Sequence, residues 1–349
     1  MKKRLLITKK IKEKPYKTLL NSIDSLLKRA RSHVFRQINT FLVKTYWEIG
    51  EHIVTYEQKT NEKADYGSQL LDKISYDLRK NHGKGFSRSN VFNFRRFYLA
   101  YPKIQSMPGF LSWTHIVSLI SVSDVLARSF YEKECIIQKW STRELDRQIN
   151  SMLFERLALS KDKKGVLKLA QKGQEIEKAE DIVKDPYVLE FLGLPQDYKF
   201  SEKELEEKII DNMQNFLLEL GQGFSFVARQ FRISLANKHF YVDLVFYHRI
   251  LKCFVLIDLK VGNVTHQDIG QMNLYLNYFN KEEMAKDDNE PIGIVLGAEK
   301  DHVLVEFALG GISNKLFASK YKLSLPNKQL LERAVKQMVS QEINISKKG

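Results

Sequence analysis

Two acidic residues and one lysine interrupt apolar segments of the sequence, where a protein core normally excludes charge. Asp243 lies in the segment 240–247, and Asp258 and Lys260 lie in the segment 253–260. Because strand side chains alternate between two faces, Asp258 and Lys260 point to the same face. If the two segments pair as a hairpin, both acids converge at one end of the sheet. Two carboxylates beside an ammonium group suit a hard divalent cation and an activated water.

A structural role is the alternative for each of these residues, as an exposed strand end or a solvated sheet edge. That alternative is the better one for a single charged residue. Three of them in adjacent, nearly continuous apolar segments favour the functional interpretation, because Asp and Lys are rarely buried unless they are paired or bind a metal.

Length and composition are those of a globular protein without a membrane segment. The 349 residues are enough for two domains. No apolar stretch is long enough to span a bilayer, and the N-terminus lacks the pattern of a signal peptide. The two cysteines, Cys135 and Cys253, lie in apolar context, which excludes a disulfide framework and a zinc site. We therefore expect a cytoplasmic protein that does not associate with membranes.

The positive charge is concentrated in the first half of the chain. Residues 1–170 contain 33 basic and 16 acidic residues, whereas residues 201–349 contain 19 of each. This division predicts that the first half binds a polyanion and the second half acts on it. The alternative is that the excess lysine on helices serves only solubility.

The first half is predicted to be helical. Apolar residues recur at spacings of three and four over residues 18–58, which predicts one long helix. A second helix ends at Gly83 and Gly85, and Ser87 can cap a third helix through Tyr101. This arrangement resembles a helix-turn-helix, whose second helix lies in the major groove of DNA. The third helix carries the candidate nucleic-acid-binding residues Arg88, Asn90, Asn93, Arg95 and Arg96. An ordinary helical hairpin with a solvated charged face is the alternative.

The second half changes to an α/β pattern. We predict a helix over 201–220, strands over 224–235, 240–247 and 253–260, a helix over 265–279, strands over 291–297 and 303–309, a further strand over 321–325 and a tail helix from 327. The predicted domain organisation is a basic tail (1–17), a helical domain (18–158), a charged connection (159–198) and an α/β domain (199–349).

This order of elements, with an acid on the second strand and Asp-x-Lys on the third, resembles the PD-(D/E)XK nuclease superfamily. Asp243 matches the first metal-binding acid of that superfamily, Asp258 the second, and Lys260 the lysine. Gln271 and Tyr275 resemble the Q-x-x-x-Y element of its RecB-like branch.

A closer resemblance, to the YhcG family of bacterial nucleases, covers most of the chain. Its motifs are Tyr46-Trp-Glu-Ile-Gly50, Gly83-Lys-Gly-Phe-Ser87, Leu111-Ser-Trp-Thr-His115, Leu153-Phe-Glu-Arg156, the segment around Asp243 and Asp258, and Gly270-Gln-Met-Asn-Leu-Tyr275. One departure is that Val242, not proline, precedes Asp243. The resemblance implies an all-α N-terminal domain followed by a restriction-endonuclease-like α/β core, in which helices flank a mixed sheet.

The resemblance also implies a mechanism. Asp243, Asp258 and the backbone carbonyl of Leu259 would bind Mg²⁺ or Mn²⁺, and Glu206 would be a third acid, with Glu207 and Glu219 as alternatives. Lys260 would orient the attacking water, and Gln271 and Tyr275 would position the substrate. We expect DNA rather than RNA as the substrate, and a homodimer by analogy with enzymes that cut both strands. The alternatives are an RNA nuclease and a catalytically idle nuclease fold that binds DNA or a protein partner.

Overall fold

A computed structural model describes residues 13–60, 64–103 and 111–345 of the chain. Residues 1–12 of the predicted basic tail lie outside the described residues. The chain divides into two compact units, Met1–Ser121 and Val122–Gly349. No helix within the described ranges is both long and apolar enough to cross a membrane.

The first unit is helical, as predicted. Its helices are α1 (Glu13–Thr60), α2 (Ala64–His82), α3 (Arg88–Ala100) and α4 (Trp113–Ser121). A short 3₁₀ turn over Lys84–Phe86 follows Gly83, and the side chain of Ser87 accepts a hydrogen bond from the backbone of Asn90. The predicted cap and glycine turn between the second and third helices are therefore present.

The core of this unit forms where the last third of α1 meets α3. Tyr46 stacks on Phe94 at 4.5 Å between ring centroids, and Trp113 packs against Tyr46 at 4.9 Å. At Gly50 the backbones come so close that an added Cβ would lie 2.8 Å from the carbonyl carbon of Phe94 and closer still to its oxygen. The Tyr46–Gly50 motif thus builds the core of the helical unit.

The N-terminal part of α1 carries an apolar stripe that remains exposed in this chain. The helical period was predicted correctly, but burial of the apolar positions begins only at Val43. The stripe comprises large side chains that are 43% to 66% exposed, among them Leu19, Ile23, Leu26, Val34, Phe35, Ile38 and Leu42. A period of 3.6 residues therefore identified the helix without identifying which part of it is buried.

The second unit begins with α5 (Val125–Gln138), α6 (Thr142–Asn150), α7 (Leu153–Ala158) and α8 (Lys163–Lys172). The predicted charged connection over 159–198 contains α8 and the short strand β1 (Tyr187–Val188). Val166 and Leu169 of α8 are buried, and Ile182 and Tyr187 belong to the core beneath the sheet. These few apolar residues are spaced among many charges, which is why composition alone suggested a connection.

A mixed sheet forms the centre of the second unit. Helices α9 (Glu202–Asp211) and α10 (Met213–Leu220) precede strands β2 (Phe224–Leu235), β3 (Lys238–His248) and β4 (Cys253–Val264). Helix α11 (His266–Tyr278), β5 (Ile292–Lys300), α12 (His302–Leu309), β6 (Lys315–Lys322) and α13 (Lys328–Ile345) follow. The strand order is β1-β6-β5-β4-β3-β2, with β2, β3 and β4 antiparallel and the remaining pairs parallel.

Helices cover both faces of this sheet. On one face, Leu205 of α9 and Phe216 of α10 pack with residues of β3 and β4. On the other face, Met272 and Leu276 of α11 pack with residues of β3, β4 and β5. Strand β4 is buried on both faces, which explains its nearly continuous apolar sequence.

Three sequence predictions in the second half differ from the structure. Residues 303–309 were predicted as a strand but form α12, because a short apolar run fits a helix as well as a strand. Asp301 caps this helix by accepting a hydrogen bond from the backbone N–H of Val303 at 2.9 Å. The last strand was predicted over 321–325, whereas β6 spans Lys315–Lys322. The predicted helix over 201–220 is interrupted at Asn212, where α9 ends and α10 begins.

A buried charge cluster joins the helices of the second unit to its sheet. Glu219 is fully buried and accepts hydrogen bonds from Arg156 at 2.7 Å and from the backbone N–H of Val188 at 3.0 Å. Burial alone would raise the pKa of Glu219, but Arg156, Lys184 and Arg147 outweigh it and hold the pKa at about 2. Arg156, the last residue of the Leu153–Arg156 motif, therefore has a structural role here.

The close approach at Gly50 gives a prediction of stability. Gly50→Ala should lower the free energy of unfolding of the helical unit by about 1–3 kcal/mol, because its Cβ would collide with rigid backbone. Gly85→Ala is the matched control, since an added Cβ there meets no atom within 4 Å. Urea unfolding followed by tryptophan fluorescence measures this, because Trp47 and Trp113 lie in this unit. Equal stability of the two variants would contradict the packing described at Gly50.

Candidate active site

The two acids that the sequence singled out face each other across β3 and β4. The antiparallel pairing ends with Leu244 opposite Ile257, and Asp243 and Asp258 are the next residues of the two strands. The two carboxylates are close enough that the charge of Asp243 raises the pKa of Asp258. Oδ2 of Asp243 accepts a hydrogen bond from the backbone N–H of Leu259 at 2.8 Å. The structure therefore brings the two carboxylates together at one end of the hairpin.

Asp258 is held in a buried position beside Lys260. Its residue is 3% exposed, and Nζ of Lys260 lies 2.9 Å from Oδ2. That oxygen receives no hydrogen bond of regular geometry from the part of the chain that the structure describes. Burial, followed by the nearby charge of Asp243, raises the pKa of Asp258 to about 7. A second cation near Asp258, in addition to Lys260, would therefore stabilise the charged form of this carboxyl group.

Lys260 is surrounded by acids from three elements. Besides Asp258, its Nζ lies 3.7 Å from Asp268 at the start of α11 and 3.9 Å from Glu202 at the start of α9. Burial would lower the pKa of Lys260, but the attraction of the Asp258 carboxylate outweighs it and raises the pKa. The ammonium group is therefore positively charged and fixed next to the acid pair.

Gln271 and Tyr275 also converge on this end of the sheet. They lie one turn apart on α11, and the amide of Gln271 donates a hydrogen bond to the hydroxyl of Tyr275. That hydroxyl donates in turn to the backbone carbonyl of Tyr241 at 3.0 Å. Burial, with the charges of Asp258 and Asp243, raises the pKa of Tyr275, so it is a neutral hydrogen-bond donor at neutral pH. Tyr275 thereby connects α11 to β3 and orients Gln271.

Glu206 reaches the site through Gln230, a residue that the sequence did not indicate. Nε2 of Gln230 donates to Oε2 of Glu206 at 2.5 Å and to Oδ1 of Asp243 at 3.0 Å. Burial raises the pKa of Glu206. Of the two alternatives to Glu206, Glu207 has a half-exposed side chain paired with Lys203, and Glu219 belongs to the buried charge cluster.

Gln230 has an unusual backbone for a residue inside a strand. Its φ is 48°, in the left-handed region, whereas the other described non-glycine residues with positive φ lie in turns, loops or at helix ends. Such a conformation costs about 1–3 kcal/mol and persists only where the surroundings impose it. No sequence signal marks this position, because glutamine is not a residue that favours this region.

The oxygen atoms gathered here fit a hard divalent cation. Within the described ranges no three His, Cys, Asp or Glu side chains already form a ligand cluster. The opposed pair Asp243 and Asp258, together with the backbone carbonyl of Leu259, would supply few protein ligands and leave room for water. Mg²⁺ prefers oxygen ligands and keeps several waters, so this set suits Mg²⁺ or Mn²⁺.

Four of the five candidate nucleic-acid-binding residues of α3 have partners within the first unit. Arg95 forms an ion pair with Glu57 at 2.7 Å, and Arg96 donates to the carbonyl of Ile120 at 2.6 Å. Arg88 forms an ion pair with Asp72, in which both side chains are more than half exposed. Asn90 donates to the carbonyl of Gly85 at 2.8 Å, and Asn93 is half-buried. Arg88 is thus the candidate most accessible to a phosphate.

Family models match both halves of the chain. Residues 22–156 match the DUF1016 N-terminal domain, and residues 180–336 match the YhcG PDDEXK nuclease domain. The chain is 38% identical over 348 residues to the Escherichia coli (strain K12) protein named "Putative nuclease YhcG". That match covers 90% of this chain and 92% of the relative.

Two solved structures show a weaker likeness. A repair endonuclease from Pyrococcus abyssi is 19% identical with a TM-score of 0.27, over 37% of this chain and 50% of that chain. An EndoMS-dsDNA2 complex is 18% identical with a TM-score of 0.26, over 37% of this chain and 46% of that chain. This chain thus spans about half the length of those solved chains, and the TM-scores are too low to show a shared fold.

The family match therefore depends on the two domain models and on the relative that aligns along almost the whole chain. It confirms the predicted combination of a helical N-terminal region with a restriction-endonuclease-like α/β core. The chain belongs to the YhcG family of PD-(D/E)XK nucleases.

Proposed function

We propose that this nuclease hydrolyses phosphodiester bonds in DNA and that it requires Mg²⁺ or Mn²⁺. The observation that supports this most is the buried Asp258, opposed to Asp243 and paired with Lys260 at 2.9 Å. Two converging carboxylates with an adjacent ammonium group suit the binding of a cation and the stabilisation of charge on a phosphate. No glycine-rich phosphate-binding motif for ATP is present in the sequence, so cleavage should not need ATP.

Each residue of the site has a role in this mechanism. Asp243, Asp258 and the carbonyl of Leu259 would hold the cation, with Glu206 as a further candidate ligand, and the bound cation would supply a water of lowered pKa. Lys260 orients the attacking water and stabilises the negative charge that develops on the phosphate oxygens. Gln271, oriented by Tyr275, contacts the backbone of the substrate.

The helical half is proposed to hold the nucleic acid. Residues 1–170 carry a net charge of +17, whereas residues 201–349, which include the acids of the site, are neutral. Binding through phosphates is independent of base sequence and weakens with salt. We propose a cytoplasmic protein that acts on DNA, with a homodimer as the form that would cut both strands.

The first test is cleavage by variants of the site. Asp258→Asn and Lys260→Ala should each lower the rate of plasmid cleavage in Mg²⁺ or Mn²⁺ by about 10²-fold or more, because each removes charge stabilisation of the transition state. Asp197→Asn and Lys199→Ala, which belong to an exposed ion pair, should cleave like wild type. Gel assays on supercoiled DNA, branched DNA and RNA give the rates.

The same assay separates the alternatives. Wild-type rates in Asp258→Asn and Lys260→Ala would contradict the proposed site. Cleavage of RNA alone would show an RNA nuclease. Salt-dependent DNA binding without cleavage in any divalent metal would show an idle nuclease fold that binds DNA.

The raised pKa of Asp258 predicts how cation binding depends on pH. A cation needs the carboxylate form, so Mn²⁺ affinity should fall about tenfold per pH unit below the pKa of about 7 and level off above it. Titration calorimetry of the wild type and Asp258→Asn at about pH 6 and about pH 8 measures this. Equal wild-type affinities at both pH values would contradict the assignment of Asp258 as a ligand.

Without metal, the contribution of Asp258 to stability should change with pH in the direction opposite to that of a salt-bridged acid. Because the pKa of Asp258 is higher in the folded than in the unfolded chain, the folded state binds the extra proton in the window from about 4 to about 7. The contribution of Asp258 to stability therefore decreases as pH rises through that window. Thermal unfolding of wild type minus that of Asp258→Asn isolates this contribution from other acids with raised pKa values.

DNA binding should depend on Arg88 more than on Arg95. The ion pair of Arg88 is exposed and therefore weak, so the guanidinium can exchange its partner for a phosphate. Arg88→Ala should weaken binding to DNA of any sequence. It should also reduce by about one the slope of the logarithm of affinity against the logarithm of salt concentration. Arg95→Ala should instead destabilise the helical unit, because it removes the partly buried ion pair with Glu57. Fluorescence anisotropy at several salt concentrations measures the slope, and an unchanged slope in Arg88→Ala would contradict this role.

A further inference from the structure

The side chain of Gln230 contacts two acids of the site, Glu206 and Asp243, at once. Its Nε2 lies 2.5 Å from Oε2 of Glu206 and 3.0 Å from Oδ1 of Asp243. Both neighbours are carboxylate oxygens, which accept hydrogen bonds. The NH₂ end of the amide must therefore face them, and both of its protons are used.

These contacts add hydrogen bonds to acids whose negative charge is only weakly compensated. Glu206 is 6% exposed, and the nearest cation, Nε of Arg229, is 3.9 Å from its Oε1. A buried carboxylate without a close partner is unfavourable, and a second carboxylate nearby makes it more so. The partly positive protons of the Gln230 amide offset this repulsion when no metal is bound.

The backbone of β2 is distorted at the residue that makes these contacts. The left-handed φ of 48° occurs inside the strand, between two residues that keep regular pairing with β3, Arg229 opposite Leu244 and Phe231 opposite Val242. The distortion coincides with the position whose side chain bridges Glu206 and Asp243.

The amide protons and a divalent cation require the same carboxylate oxygens. A cation bound by Asp243 and Glu206 together would need carboxylate oxygens that the protons of Nε2 now face. Protons directed at a cation repel it, so the two arrangements exclude each other. The amide of Gln230 and the cation therefore compete for these oxygens.

We propose that Gln230 is a positioning residue that holds Glu206 and Asp243 together in the metal-free protein and is displaced when a cation binds them. This inference depends on the proposed metal-dependent function and adds a residue to it. Gln230 acts through the two acids and is not itself a ligand. Its effect is to keep the acids in place for the cation while weakening the affinity for it.

The test measures cation binding and stability of the full chain, without any cleavage reaction. Gln230→Gly removes the amide and also relieves the left-handed backbone, and Gln230→Met removes the N–H donors at similar size. Lys252→Gly is the matched control, because Lys252 also has a left-handed φ, of 49°, but lies in the turn between β3 and β4. Thermal unfolding without metal and calorimetry with Mn²⁺ are the two measurements.

The expected result is that Gln230→Met loses thermal stability without metal, whereas in Gln230→Gly the relief of backbone strain offsets part of that loss. Both variants should bind Mn²⁺ about tenfold more tightly than wild type, because the competing hydrogen bonds are gone. Lys252→Gly should keep or gain stability and bind Mn²⁺ like wild type. A purely structural role of Gln230 would lower stability without tightening Mn²⁺ binding.

Three outcomes overturn the inference. Unchanged or weaker Mn²⁺ binding in both Gln230 variants would show that Gln230 does not compete with the cation. Unchanged stability of both variants without metal would show that the amide does not hold the acids. Mn²⁺ binding that is absent in wild type, or equal in wild type and Asp258→Asn, overturns the proposed metal site itself and this inference with it.

Discussion

The repulsion between two carboxylates on adjacent strands is the constraint around which this site is arranged. Asp243 and Asp258 are opposed at the end of the β3–β4 pairing, and each has a compensating group close by. The backbone N–H of Leu259 and the amide of Gln230 bind Asp243, while Lys260 pairs with Asp258. These three groups therefore reduce one electrostatic penalty, which a divalent cation would also reduce.

The fold holds this arrangement through the packing of its helices. Helix α9 packs on one face of the sheet and α11 on the other, so that their first turns bring Glu202 and Asp268 to Lys260. The lysine is thus shared among acids of three elements. Because β4 is buried on both faces, the acid and the lysine that it carries cannot shift without disturbing the core.

Period-two patterns and turn residues predicted β2, β3 and β4 and the helix after them, and the Asp-x-Lys spacing predicted the centre of the site. The apolar run 303–309 was ambiguous because its length suits either a strand or a short helix. Gln230 was missed because its importance comes from a backbone conformation and a cross-strand contact, which no local sequence pattern encodes. The partners of Arg95 and Arg96 were also out of reach, because they lie on other helices.

The left-handed backbone of Gln230 has a second consequence, for aggregation of the protein at high concentration. β2 is an edge strand of the sheet that the described residues form, and a long regular edge is a template for aggregation. Its left-handed residue and the register shift between Phe226 and Ala228 interrupt the repeat of free backbone groups, and the exposed Arg229 adds charge. The distortion that serves the acids thereby also guards the edge against pairing with strands of other molecules.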